Sequence, residues 1–189
     1  VPAVWDDVDV DWSAFDAGVL RETWDYSYRR PEFLDWLRRV SAVTLLLNPA
    51  SVVEWNTDKR YLRDLDAAGV PIVPTEFLEP GADVDAWSPP SGYADFVVKP
   101  AVSAGSRDTM RFAVDGPLDD ARAHVQRLLD DGRTVMVQPY LDAVDTEGET
   151  ALLFLGGAFS HAIRKGPLLV RGVEGERVEG LFVQEQIDP

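Results

Sequence analysis

The sequence predicts an α/β region followed by an α+β region, and three observations predict it. Strand-like and helix-like stretches alternate up to Pro49, as in an open α/β sheet. Beyond it, short apolar runs at 94–99, 109–114 and 134–138 surround one long amphipathic helix pattern. Finally, Gly156-Gly157 separates two further apolar runs, 150–155 and 158–164, as the two-residue turn of a hairpin. The boundary between the regions falls near 49–56.

In order along the chain, 1–5 reads as the end of a strand and 6–11 as an acidic loop. Residues 19–28 hold a short strand start and an aromatic turn, 24–28. The spacing predicts a helix over 31–40, with Pro31 in its first turn and Phe33, Leu34, Leu37 and Val40 on one face. The unbroken apolar run 43–47 suits a buried parallel strand, ended by Asn48-Pro49. Asn56 or Thr57 caps a helix over 58–68, which Gly69 closes. A short strand at 70–74 and a surface loop at 79–92 follow. Strands at 94–99 and 109–114 flank the loop 100–108. The helix over 118–131 places Leu118, Ala121, Val125, Leu128 and Leu129 on one face.

The 189 residues are 46% hydrophobic and 10% aromatic, a composition able to bury a core. Acidic residues outnumber basic ones 33 to 18, for a net charge of -15, which disfavours nucleic acid and anionic membrane surfaces as partners. Any anion site must therefore gather its few cations locally. There is no Cys, so disulfides and thiolate catalysis are excluded. No apolar run reaches the roughly 20 residues of a membrane helix, and no leader pattern opens the chain, so a cytoplasmic location is expected. Neither a G-x-S-x-G elbow, nor a phosphate loop of the G-x-x-x-x-G-K type, nor metal-ligand spacing is present.

What remains is a dispersed set. Lys59 starts a helix, and Lys99 ends an apolar strand just before Pro100. The small-residue loop containing Ser103, Ala104, Gly105 and Ser106 lets backbone N–H groups approach phosphates. Gln138-Pro139-Tyr140-Leu141 follows a strand and can present C=O and N–H groups to a base edge, and Glu149 comes shortly after. Each has a plainer reading: Lys59 as a solvated first-turn residue, Lys99 as a loop charge, and Gln138 as a strand cap. Glu147 and Glu149 read equally as loop acids, and Arg164-Lys165 as solubility residues. His124 reads as a helix-surface residue, and His161 as structural. Trp5, Trp12, Trp24, Tyr26 and Tyr28 read as packing.

The stretches WNTDKRYLRDLDAAGVPIVPT, FVVKPAVSAGS, VMVQPYL and GETALLFLGGAFSHAIRKGP together resemble the ATP-grasp superfamily. The resemblance covers about residues 43–167. It is closest to the glutathione-synthetase-like branch, and within it to the cyclo-ligase type of cycloserine biosynthesis. It implies an ATP-grasp fold, two α+β lobes around an ATP cleft, preceded by part of a pre-ATP-grasp α/β domain. The divisions would be 1–49, 50–137 and 138–189. It implies an ATP-dependent carboxylate–amine ligase working through an acyl phosphate on a small amino-acid-like substrate; a homo-oligomer is compatible with this.

By position, Lys59 and Lys99 would meet the α- and β-phosphates, and Ser103, Ala104, Gly105 and Ser106 would form a lid. Gln138 and the Pro139 carbonyl would accept from the adenine amino group. Leu141, after Tyr140, would donate to the ring, and Glu149 would bind ribose. Arg164 and Lys165 would face the transferring phosphate or the substrate carboxylate. The loop 100–108 and the stretch 166–180 are expected to be mobile lids. The family holds magnesium through late acids and an Asn. After Arg164 this sequence has Glu174, Glu176, Glu179, Glu185 and Asp188 but no Asn, so the Mg2+ ligands are expected beyond residue 189. The alternative is a non-catalytic nucleotide-binding or structural α/β module without metal ligands.

Overall fold

The computed structural model describes residues 1–166, 169, 171 and 173, and the backbone of 185–187. The expected lid stretch 166–180 thus lies almost wholly outside the described residues. The chain divides into two compact units: Val1–Ile72 with Ala101–Ala104, and Val73–Pro100 with Gly105–Pro189.

The first unit is built on a strand–helix–strand arrangement. Strands β1 (Ala17–Val19) and β2 (Leu45–Leu47) pair in parallel, linked through helix α1 (Arg30–Ser41). Pro31 sits in the first turn of α1 with Glu32, and Arg38 and Arg39 lie in its last turn, which suits the helix dipole at both ends. Its inner face buries Phe33, Leu34, Trp36, Leu37 and Val40 against Trp5 and Leu46. The aromatic residues pack edge-on, with ring centroids 5.4 Å apart for Trp5–Phe33 and 5.2 Å for Trp12–Trp36. Helices α2 (Ala50–Asn56) and α3 (Tyr61–Ala67) follow.

Three expectations are corrected here. Residues 1–5 form no strand; Trp5 is held by its indole, which donates to the Asp25 carboxylate at 3.0 Å. The run 43–47 is not buried throughout: Leu46 is buried, while Leu45 and Leu47 are exposed, because α1 covers one face of the two-stranded sheet. The helix expected over 58–68 begins only at Tyr61, as α3, with Lys59 in the turn before it, and the additional helix α2 lies ahead of the expected range.

The second unit carries a four-stranded antiparallel sheet in the order β3-β6-β4-β5: β3 (Glu76–Leu78), β4 (Asp95–Pro100), β5 (Met110–Ala113) and β6 (Val135–Pro139). Strand β6 runs through the 137/138 point at which the sequence reading divides the lobes. Residues 70–74 form no strand; β3 begins two residues later, since Pro71 and Pro74 lack the N–H a ladder needs. Helix α4 (Leu118–Asp130) lays Ala121, Val125, Leu128 and Leu129 on Phe96, Val98, Phe112, Val135 and Val137 of the sheet. After the short helix α5 (Ala143–Glu147), a second sheet contains the hairpin β7 (Glu149–Leu155) and β8 (Ala158–Lys165), with β9 (Glu185–Ile187) beside β8. Gly156 and Gly157 adopt φ 59° and 82°, the positive angles of the expected hairpin turn.

His124 is buried, not on the helix surface. Its ring lies 3.1 Å from the Asp108 carbonyl and 3.1 Å from the Arg127 guanidinium. Burial, helped by Arg127, pushes its pKa down from 6.5 to about 4. The folded state thus holds a neutral imidazole that the unfolded chain protonates first. Stability is full above pH 6.5 and declines as the pH falls toward 4, by about 3 kcal/mol. Melting curves of wild type and His124→Gln should diverge in this window, the variant showing the shallower acid decline; equal slopes would show that His124 does not titrate this way.

Candidate functional site

Strand alternation sorts the second unit's central sheet into two faces. Phe96 and Val98 of β4 and Val135 and Val137 of β6 point to α4. Asp95, Val97 and Lys99 of β4 and Met136 and Gln138 of β6 therefore point the other way. The register sets Lys99 opposite Met136 and Val97 opposite Gln138, so Lys99 and Gln138 are diagonal neighbours on this second face.

Lys99 is half-buried, and among the described residues no hydrogen bond or ion pair to its ammonium is present. Burial pushes its pKa below the usual lysine range, and Glu149 pulls it part of the way back. A desolvated, unpaired cation of this kind is strongly receptive to an anion. Gln138 is buried beside it, its amide nitrogen donating to Thr75 Oγ1 at 2.7 Å. Pro139 ends β6 opposite Phe96, and Leu141 is exposed just beyond.

The hairpin register brings three more of the expected residues together. Glu149 pairs with Lys165, their charges 3.7 Å apart, and Thr150 pairs with Arg164. Just before Glu149, Gly148 has φ 75°, and a Cβ there would lie 2.4 Å from the Lys165 carbonyl oxygen. Only glycine admits this close crossing. Lys99, Gln138, Glu149, Arg164 and Lys165 therefore belong to one unit, with Lys99 within electrostatic reach of Glu149.

Lys59 belongs to the first unit, where it grips the small-residue loop. Its backbone N–H donates to the Ala101 carbonyl at 3.0 Å, and its ammonium to the Ser103 carbonyl at 2.7 Å and the Ser103 hydroxyl at 3.0 Å. Ser103 is buried, Ala104 half-buried and Gly105 exposed. Gly105, Ser106 and Asp108 have positive φ, of 64°, 59° and 53°. The loop leaves through Asp108, whose carboxylate takes a 2.6 Å contact from Arg133.

Tyr140 is the residue whose role differs most from expectation. It is buried, its hydroxyl donates to Asp145 at 2.5 Å, and the Arg111 guanidinium stacks 3.5 Å from its ring centroid. Burial and Asp145 together push its pKa up to about 12. Arg111 also donates to Asp95 at 2.6 Å and to Asp145 at 2.8 Å, and Arg171 reaches Asp95 at 2.7 Å. Burial alone would raise the Asp95 carboxyl, but Arg171 and Arg111 outweigh it and hold it below the usual carboxylate range. This network fixes the segment after β6 to the sheet. Sequence reading did not single out Asp95, Arg111, Asp145 or Thr75. The signal was an acid and an arginine inside apolar strands, at Asp95 and Arg111.

Among the described residues, no group of three or more His, Asp or Glu could hold a metal ion, and no helix is long and apolar enough to cross a membrane. The features define a mixed α/β chain with several sheets, one of which carries Lys99 and Gln138 on a polar face. The model for the N-terminal domain of D-cycloserine synthetase DcsG matches residues 1–48. Over 171 residues the chain is 44% identical to the cycloserine biosynthesis protein DcsG of Streptomyces lavendulae, covering 88% of this chain and 57% of the relative. The crystal structure of D-cycloserine synthetase DcsG matches with a TM-score of 0.83 at 39% identity, over 98% of this chain and 63% of that one. The chain is thus similar to DcsG in sequence and architecture, and spans less than two thirds of either relative's length.

Gly148→Ala should destabilise the protein by roughly 1–3 kcal/mol, through both the positive φ and the clash with Lys165. It should also raise amide exchange at Glu149 and Lys165. A melting temperature equal to wild type would show that the two strands do not cross there as described.

Proposed function

We propose that this chain is the central part of an ATP-dependent carboxylate–amine ligase of the ATP-grasp type, with a role in making cycloserine or a close analogue. The lobes would follow the sequence divisions given above. The observation that carries this reading is the Lys99 ammonium, half-buried and unpaired among the described residues, on the same sheet face as the Gln138 amide.

ATP supplies the phosphoryl group. An oxygen of the substrate carboxylate attacks the γ-phosphorus, the bond to the β-phosphate oxygen breaks, and ADP leaves. The nitrogen lone pair of the amine then attacks the acyl carbon, and inorganic phosphate leaves. For a cyclic product both groups belong to one molecule. The protein's part is electrostatic: Lys99 holds charge on the phosphate oxygens, and Arg164 and Lys165 steady the carboxylate or the moving phosphoryl group. Lys59, which now holds Ser103, would exchange that contact for phosphate. Gln138, Pro139 and Leu141 would read the base, Glu149 the ribose. Among the described residues no group of three or more His, Asp or Glu could hold magnesium, which when bound would neutralise phosphate charge.

A second reading, a nucleotide-binding module without catalysis, draws support from the lack of a metal-binding cluster among the described residues. One variant separates the two. Lys99→Met keeps the apolar stem and removes the charge. In the full-length protein it should weaken ATP binding by about 10- to 150-fold, the effect of one charge-assisted contact. ADP release with amino-acid substrates should fall further. Weakened binding with no ADP release even in wild type would favour the module. Unchanged binding and turnover would remove Lys99 from the site and with it the main support for a ligase.

A further inference from the structure

The Gln138 amide does not stand alone. Its nitrogen donates to Thr75 Oγ1 at 2.7 Å, and the Thr75 hydroxyl in turn donates to the Val73 carbonyl at 2.7 Å. A backbone carbonyl only accepts, so the hydroxyl proton is committed to Val73. The Thr75 oxygen is then left as an acceptor, and Gln138 can satisfy it only with its NH2 group. The chain of bonds thus fixes which end of a symmetric-looking amide faces which way. Among the described residues nothing donates to Gln138 Oε1, and that oxygen is not one of the fully buried orphan atoms, so it keeps access to solvent.

Resting on the ligase reading, we propose that Thr75 is a specificity-determining positioning residue: through Val73 it locks Gln138 to present an acceptor, and so selects a base carrying a 6-amino group. A 6-amino group donates to Oε1. A 6-oxo group, as in guanine or hypoxanthine, would set two acceptors against each other. Without the lock the amide turns over and offers its NH2 to a 6-oxo group instead. Thr75 touches no ligand itself; its effect passes through Gln138.

The test compares ATP with inosine triphosphate, which differs at the 6-position without adding a 2-amino group. Calorimetry on the full-length protein should show ATP preferred. Thr75→Val, which keeps the shape and removes the hydroxyl, should narrow the preference by about tenfold, partly through tighter inosine triphosphate binding. Thr75→Ser, which keeps the hydroxyl, should restore it. A purely structural role would weaken both nucleotides together and leave the ratio unmoved. Should Thr75→Val fail to fold, Thr75→Ala gives the same comparison. An unchanged ratio in the Val or Ala variant overturns the proposal while the ligase reading stands. So does wild-type protein that binds both nucleotides equally. Wild-type protein that binds neither overturns the ligase reading and this proposal with it.

Discussion

The register of β4 against β6 is the constraint on which the rest of the second unit depends. Its period of two assigns Phe96, Val98, Val135 and Val137 to helix α4 and Asp95, Lys99, Met136 and Gln138 to the opposite face. A slip of one residue would drive Lys99 and Gln138 into the apolar layer under α4 and turn the valines outward. The apolar packing therefore does two things at once. It stabilises the sheet, with Val98, Val125, Leu128 and Val135 fully buried, and it holds one ammonium and one amide at fixed positions on the other face.

That polar face is arranged by charge. Asp95 and Asp145 are each met by Arg111, and Arg171 joins at Asp95, so the buried carboxylate never stands alone. Lys99 is handled in the opposite way. It is desolvated beside Glu149 without pairing closely to it, and its charged form is left under-stabilised. The contrast separates two kinds of charge: those that tie strands and α5 together, and Lys99, which has no hydrogen bond or ion pair among the described residues.

Much of the fold was legible. The 3.6-residue apolar periods of α1 and α4, the apolar runs of β4 and β6 and the Gly156-Gly157 turn all carry local signals, and the structure has these elements. Local signals misled where they were weak. Helices α2 and α5 have only 7 and 5 residues, too short for a periodic face. Val70 and Val73 looked like a strand, but the prolines beside them decide otherwise. The candidate site was legible where a residue type was improbable in its setting, as with Lys99 at the end of an apolar strand. It was hidden where meaning lies in distant partners: Thr75 is 63 residues from Gln138, Asp95 16 from Arg111, and Asp145 34 from Arg111. His124 was misread for the same reason, since the Asp108 carbonyl that receives it is set by the loop, not by the helix.

The most direct measurement of the central claim is the titration of Lys99 itself, by carbon-13 NMR of its Cε in the full-length protein with and without ATP. Without nucleotide, burial should place its pKa below the ordinary 10.5. With ATP bound, the phosphate charge should raise it. An ordinary value in the free protein, or one that ATP does not move, would contradict the account of Lys99 as a cation held ready for phosphate.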